Sequence, residues 1–427
     1  MNSDAGDPSS ALRAPSPRAR GEGQRPFSPA HGGEGGRRPD EGALAMNSDA
    51  RPVGGRLLTP GFKVLLALSA VGGLLILWRF YAGLGATTAL SDGYPLGLWI
   101  ALDVVTGTAL ACGGYALALV VYIFNRGQYH PLIRPAILTS ALGYTMAGLS
   151  VAIDLGRPWL MWKIPLYFWR WNLNSALLEV ALCIMTYVGV LWIELAPALL
   201  PPSRITRILD RALIWIIALG MLLPTMHQSS LGTMMLLAGP RLHPLWNTPL
   251  LPLLFLLTCL AMGYAIVVFE SAFSSAAFRR KPETPMLAML QKVAVSVGIA
   301  FVSIRFIDLA ARGRLPLTLQ LDLHGIIFWI ETVLWLLPAA ILLASRRVNL
   351  GNLFLGAMCI ALAGGLYRFD TFLVAFQPGA GWHYFPSVQE MFISIGLIAT
   401  ELALYVAIVR RFPILGGRSL TLEASQP

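Results

Sequence analysis

Ionisable side chains are costly in apolar surroundings, so those inside the long apolar stretches of this 427-residue chain mark where chemistry is to be sought. They are spread unevenly along those stretches. Asp103, Asp154, Glu179, His227, Arg305, Asp308, His324, Arg368 and Glu390 fall in the third of their runs farthest from the side that holds both chain ends. Glu331 and Glu401 lie near mid-depth, and Glu194 and Glu270 sit toward the opposite ends. A polar cluster at one face with a sparse carboxylate ladder behind it fits a reaction site there and a proton route leading to it. His227, within Pro224-Thr225-Met226-His227-Gln228-Ser229-Ser230, can donate to a carbonyl and then pass a proton. Asp103 and Glu179 have no basic residue within one helical turn, which favours a functional role over mutual neutralisation. Structural readings stand beside the others: Arg305 and Asp308 are spaced to neutralise one another, Asp154 can pair with Arg157, and Glu194 and Glu270 can be interfacial carboxylates.

The elements that must hold these groups are helices crossing a bilayer. Hydrophobic residues make up 56% of the chain and charged ones 13%, about half the charged share of a soluble domain. Apolar runs of about 20 residues recur without the alternation a membrane β-barrel needs. The reading is an all-α, polytopic transmembrane bundle with ten spans, near 62–80, 94–124, 132–154, 172–195, 209–226, 248–272, 286–308, 322–345, 351–369 and 386–410. The fifth is expected to end near Pro224, which interrupts its pattern. Gly107, Ala111, Gly113 and Gly114 supply the small residues that let helices approach closely, so the second span should be central. Counted from residue 46, seventeen Lys and Arg fall on one side of the membrane and seven on the other, which places both termini in the cytoplasm.

That distribution also explains the net charge of +10 without a nucleic-acid partner, because the basic residues sit in short loops and not on a polar face. The segments divide as a tail over 1–55, a transmembrane domain over 56–415 and a cytoplasmic tail over 416–427. Residues 1–45 are rich in Pro, Gly, Arg and Ser and should be disordered. Met1-Asn2-Ser3-Asp4-Ala5 recurs as Met46-Asn47-Ser48-Asp49-Ala50, so translation is expected to start at Met46. Two connections on the outer side are distinctive. Trp159 to Trp171 is aromatic and basic, suited to the membrane interface or to a protein partner, and Gln377 to Pro386 is turn-rich. The four cysteines, all inside apolar runs, form no C-x-x-C and read as buried hydrophobes. Bis-histidine haem ligation needs opposed imidazoles at one depth; only His227 and His324 qualify, which disfavours haem.

Gly93-Tyr94-Pro95-Leu96-Gly97-Leu98-Trp99-Ile100-Ala101 leading to Asp103, then Ala111-Cys112-Gly113-Gly114 and Phe124 to Leu132, form an ordered series with several later motifs. These are Leu223 to Ser230, His243-Pro244-Leu245-Trp246, Phe328-Trp329-Ile330-Glu331, Val374 to Gly379 and Tyr384-Phe385-Pro386. In these the chain resembles the NrfD/polysulfide-reductase family of membrane subunits, and within it those of hydrogenase-2-type [NiFe]-hydrogenases. The match runs from about residue 55 to 415. The resemblance implies a haem-free bundle in a bacterial inner membrane that reacts with ubiquinone or menaquinone. It also implies a ferredoxin-like iron–sulfur subunit on the periplasmic face, joined to hydrogenase small and large subunits that carry the clusters and the nickel–iron site. On the matching motifs, quinone binding passes to Asp103, His227 and Glu179, with Tyr94 and Trp99 as pocket walls.

On this reading, quinone in the outer third takes two electrons and two protons. His227 donates to the charge developing on the carbonyl, Asp103 and Glu179 handle protons, and Glu401 and Glu331 lead inward toward the cytoplasm. Two rivals stay open: a related subunit serving a polysulfide, nitrite or other molybdenum enzyme, and an anchor that touches no quinone. A transporter is disfavoured, since no pair of interrupted helices repeats across two halves.

Overall fold

The computed structural model describes residues 50–201, 203–344 and 349–416. The proposed start at Met46 and most of both tails lie outside the described residues. Among the described residues, ten helices are long and apolar enough to cross a membrane. They are α1 (Pro60–Ala82), α2 (Trp99–Ile123), α3 (Ile133–Asp154), α4 (Ala176–Leu199), α5 (Arg204–Ala238), α6 (Leu251–Ala277), α7 (Thr284–Ala311), α8 (Leu323–Ala344), α9 (Leu350–Val374) and α10 (Val388–Arg411). No strand occurs among the described residues beyond an isolated pairing of Leu242 with Phe376. The chain is a polytopic all-helical membrane protein.

Local sequence sets where these helices begin. Thr59, Ser175, Ser203, Asn349 and Ser387 stand just before α1, α4, α5, α9 and α10, and each side chain accepts a backbone N–H of the first turn. At α10 the arrangement is reciprocal, because Glu390 reaches back to the N–H of Ser387 at 2.8 Å. Glu390 also accepts from Ala89 N–H (2.9 Å) and the Tyr384 hydroxyl (2.7 Å), so this buried carboxylate fastens the connection before α2 to the one before α10.

α2 is the central helix. Its membrane window is 78% buried, the highest share of the ten, as its small residues predicted. Close approach is literal here: a Cβ on Gly263 of α6 would lie 2.8 Å from the Cys112 carbonyl oxygen. The helix is not regular. Trp99–Thr106 and Leu119–Ile123 are wound wide as π-helix, and the chain turns at Ala111 and Cys112. α9 ends likewise in a π-helical turn, Asp370–Val374. Such segments widen the spacing of side chains and recur where a helix must aim a group into a site. Asp103 and Asp370 both lie in one.

The fifth span differs from expectation. α5 runs unbroken through Pro224 to Ala238. A proline removes one N–H but does not end a helix whose neighbours re-satisfy the backbone. Thr225 donates to the Met221 carbonyl at 2.9 Å and meets the Tyr115 hydroxyl at 2.8 Å, holding the turn to α2. His227 therefore lies inside the helix rather than at its end.

Candidate functional site

Two polar clusters flank α2, and a third lies on the far side of α9. All are nearer the side of the bundle opposite the described chain ends, here called the distal side. The first centres on Asp103, whose Oδ2 accepts from Ser394 of α10 at 2.8 Å and from Ser150 of α3 at 3.3 Å. Asp103 stands at one end of a cavity of about 770 Å³ whose walls are mainly apolar. Helices α1, α2, α3, α6 and α10 supply the walls, and the cavity extends toward the terminal side past Glu401 and Glu270 to Tyr405 and Arg410. The Tyr405 hydroxyl donates to Glu270. An apolar cavity of this size with a few convergent polar groups is the usual form of a small-molecule site.

The second cluster is on the other face of α2. His227 Nε2 meets Thr108 Oγ1 at 3.2 Å; Gln228 Nε2 donates to the same oxygen at 3.2 Å and to the Tyr144 hydroxyl at 3.2 Å. Cys112 Sγ is 3.3 Å from that hydroxyl. Beside them Arg368 is fully buried and donates to Thr258 Oγ1 (3.1 Å), the Val105 carbonyl (3.0 Å) and the Phe255 carbonyl (2.5 Å). No carboxylate pairs with it among the described residues. His227 Nδ1 and Gln228 Oε1 are buried without a hydrogen-bond partner, an expensive condition for polar atoms. Two turns beyond His227, a second cavity of about 530 Å³ opens between Met234, Met235, Pro95, Leu96, Phe372 and Phe376.

In the third cluster Arg305 of α7 pairs with Glu331 of α8 at 2.5 Å, both buried, and its guanidinium lies over the Phe328, Tyr367 and Trp246 rings. Trp246 Nε1 donates to Glu331 Oε1 at 3.3 Å, and Asp370 brings a second carboxyl against Glu331. Arg305 thus takes Glu331 rather than Asp308; Asp308 pairs with Arg312 one turn on. Asp154 faces the charge of Arg79, not Arg157.

The expected site residues are therefore distributed. Asp103 and Glu401 share a cavity. His227 belongs to the opposite face of α2. Glu331 lies with Arg305 and away from Glu401. Glu179, half-buried near the start of α4, joins neither cavity lining. Trp99 is buried and donates to the Glu390 carbonyl at 3.2 Å, and so secures the start of α2. Tyr94 packs between Tyr384 and Phe376 and donates to the Phe376 carbonyl at 3.0 Å; burial raises its pKa. Sequence reasoning noted Gln228 beside His227 but missed Thr108, Tyr144, Ser150 and Ser394, because hydroxyls inside apolar helices usually satisfy their own backbone. It missed Asp370 because the ninth span was expected to end at 369.

The family model described as "Polysulphide reductase, NrfD" matches residues 91–377. The chain belongs to that family of integral membrane proteins. It is 43% identical to the "Probable Ni/Fe-hydrogenase 2 b-type cytochrome subunit" of Escherichia coli (strain K12), over 87% of this chain and 96% of that one. It is 27% identical to the "Menaquinone reductase, integral membrane subunit" of Nitratidesulfovibrio vulgaris, over 80% of this chain and 88% of that one. With a selenate reductase subunit of Mesobacillus selenatarsenatis it shares 24% over 83% of this chain and 93% of that one.

One of those names includes a b-type cytochrome, and the histidines can be tested against a haem. His227 faces Thr108 and the Tyr144 ring, whereas His324 stacks directly on His243 with 4.1 Å between centroids, leaving no room for a macrocycle. Among the described residues this is not the opposed pair that bis-imidazole ligation requires.

Proposed function

We propose that this chain is the quinone-reactive membrane subunit of a respiratory [NiFe]-hydrogenase complex in a bacterial inner membrane. The observation that carries this reading is the apolar cavity of about 770 Å³ with Asp103 at its distal end. An isoprenoid chain suits the apolar length of the cavity, and a polar ring suits the Asp103 end. Ser394 and Ser150 fix the carboxylate there by donating to Oδ2, and Oδ1 would serve a ligand in the cavity that Asp103 lines. Quinone reduction consumes two electrons and two protons. Asp103 is placed to deliver a proton to the quinone oxygen, and Glu401 and Glu270 line the same cavity toward the terminal side as its resupply. The proton route through Glu401 then bypasses Glu331, which serves the distal cluster.

The likeness to the hydrogenase-2 and menaquinone-reductase subunits supports the choice of reaction. On this reading electrons arrive from a ferredoxin-like iron–sulfur subunit seated on the distal, periplasmic face, itself joined to the hydrogenase small and large subunits. The membrane subunit contributes no haem.

A second reading rests on the partnerless His227 Nδ1 and Gln228 Oε1 beneath the smaller distal cavity. A quinone whose ring passed about two turns inward from that cavity to this face of α2 would accept from His227, and the two faces of α2 separate the alternatives. The test is H₂-dependent reduction of a quinone analogue by membranes, with a soluble artificial acceptor as control. Asp103→Asn is expected to lower quinone reduction by about 10²–10⁴-fold, the usual range for a lost proton-transfer group, with the soluble activity retained. His227→Ala producing that collapse while Asp103→Asn does not would move the site to the other face. Retention of quinone reduction by both variants would leave an anchor.

A further inference from the structure

Beyond both cavities, three segments of the distal surface converge on a pair of imidazoles. His243 N–H donates to the Ala375 carbonyl at 2.8 Å, Gln377 N–H donates to the Arg241 carbonyl at 2.6 Å, and Leu242 pairs with Phe376. This short backbone ladder ties His243 to the segment just after α9, and ring stacking brings it against His324 at the start of α8. The two rings lie parallel, 3° apart in plane, with centroids 4.1 Å apart. Asp322 is held by the Gly325 N–H on Oδ1 at 2.8 Å, and its Oδ2 faces His324 Nδ1 at 3.5 Å.

We propose that His243, Asp322 and His324 form a binding site for a divalent ion of the zinc class. One donor atom from each residue lies within 4.8 Å of the others. Tetrahedral zinc, with bonds of about 2.0–2.2 Å to nitrogen and oxygen, places its donors roughly 3.3 Å apart. Closing the set to that spacing takes an approach of up to about 1.5 Å and a turn of the two stacked rings about their side-chain bonds, so that their in-plane lone pairs converge on the ion. Two imidazoles and one carboxylate suit zinc rather than calcium or magnesium, which take mainly oxygen ligands. Asp322 is exposed and both histidines are partly so, which gives the ion access from water. Three protein donors leave a fourth tetrahedral position for water or for a side chain of a docked protein. An ion there ties the α5–α6 turn, the start of α8 and the α9–α10 loop into one surface. Trp246 meets both rings edge-on and donates to Glu331, so that surface roofs the buried Arg305–Glu331 pair. The site requires neither quinone nor a hydrogenase partner.

The test is cobalt(II) and zinc(II) titration of the full-length protein, purified in detergent without a histidine tag and stripped with chelator. Wild type is expected to bind one cobalt ion with visible d–d absorption, displaced stoichiometrically by zinc, and zinc is expected to raise its Tm. His243→Gln and His324→Gln should weaken binding by about 100-fold or more, and the double variant should lose both the absorption and the zinc shift of Tm. Equal metal-free Tm values show that the variants are folded. If a single variant has a lower value, Asp322→Asn, on the exposed carboxylate, decides in its place, with an expected loss of about 10–100-fold. Absence of a one-to-one complex in wild type overturns the site, as does unchanged binding in the double variant, which would assign the metal to other histidines such as His130 or His383.

Discussion

Arg305 and Glu331 illustrate how a buried charge behaves when its partner is removed. Both are desolvated, and Glu331 also accepts from Trp246. Breaking a buried pair from one side typically costs about 3–5 kcal/mol, whereas replacing both partners with apolar residues of similar volume is often neutral. Glu331→Gln is therefore expected to lower stability by about that amount, and Arg305→Met with Glu331→Met to recover most of it, read as Tm in detergent. The residue types alone mark these groups as costly, but they do not specify the pairings. Sequence proximity favoured Asp308 for Arg305, yet the guanidinium reaches across to α8 because the rotation of each helix about its axis decides which groups meet. A helix apolar on all sides carries little record of that rotation. The same gap explains why Asp103 and His227, expected together, occupy opposite faces of α2.

At the scale of elements, the best-read features were those a bilayer imposes. A span needs about 20 apolar residues, so ten helices were recoverable from hydropathy alone. Pro224 misled, because proline predicts a helix end in water but is tolerated where neighbouring hydroxyls and helices re-satisfy the backbone. Close helix contacts were legible in α2 but not between α1 and α10. There a Cβ on Gly72 would sit 2.7 Å from Gly396 Cα, with backbone on both sides and nothing flexible to yield. Gly396→Val must push α1 outward, at an expected cost of about 1–3 kcal/mol, and Gly73→Val, which meets nothing, serves as the control. Thermal unfolding monitored by circular dichroism separates the two.

At the scale of the whole molecule, the proposed orientation rests on charge: the sequence puts seventeen basic residues in the connections of one side against seven in the other, and we propose that the first, terminal side is cytoplasmic. A fluorescent-protein fusion at the C-terminus should fluoresce, and an alkaline phosphatase fusion in the 159–171 loop should be active; the reverse pattern would invert the assignment. On the proposed orientation, exposed Trp159, Trp162, Phe168 and Trp169 would lie at the outer interface.

One wall of the large cavity differs from the rest. Only 11% of the membrane window of α1 is buried, yet Thr59, Gly61, Phe62 and Leu65 close the side of the cavity against which it leans. A reactant that enters past such a peripheral wall is delivered from lipid, so water never dilutes it. Its supply is set by its mole fraction in the bilayer and by lateral diffusion in two dimensions. The apparent affinity of the protein is then a property of the membrane composition as much as of the cavity, and turnover measured in vesicles should scale with reactant per lipid, not with reactant per volume.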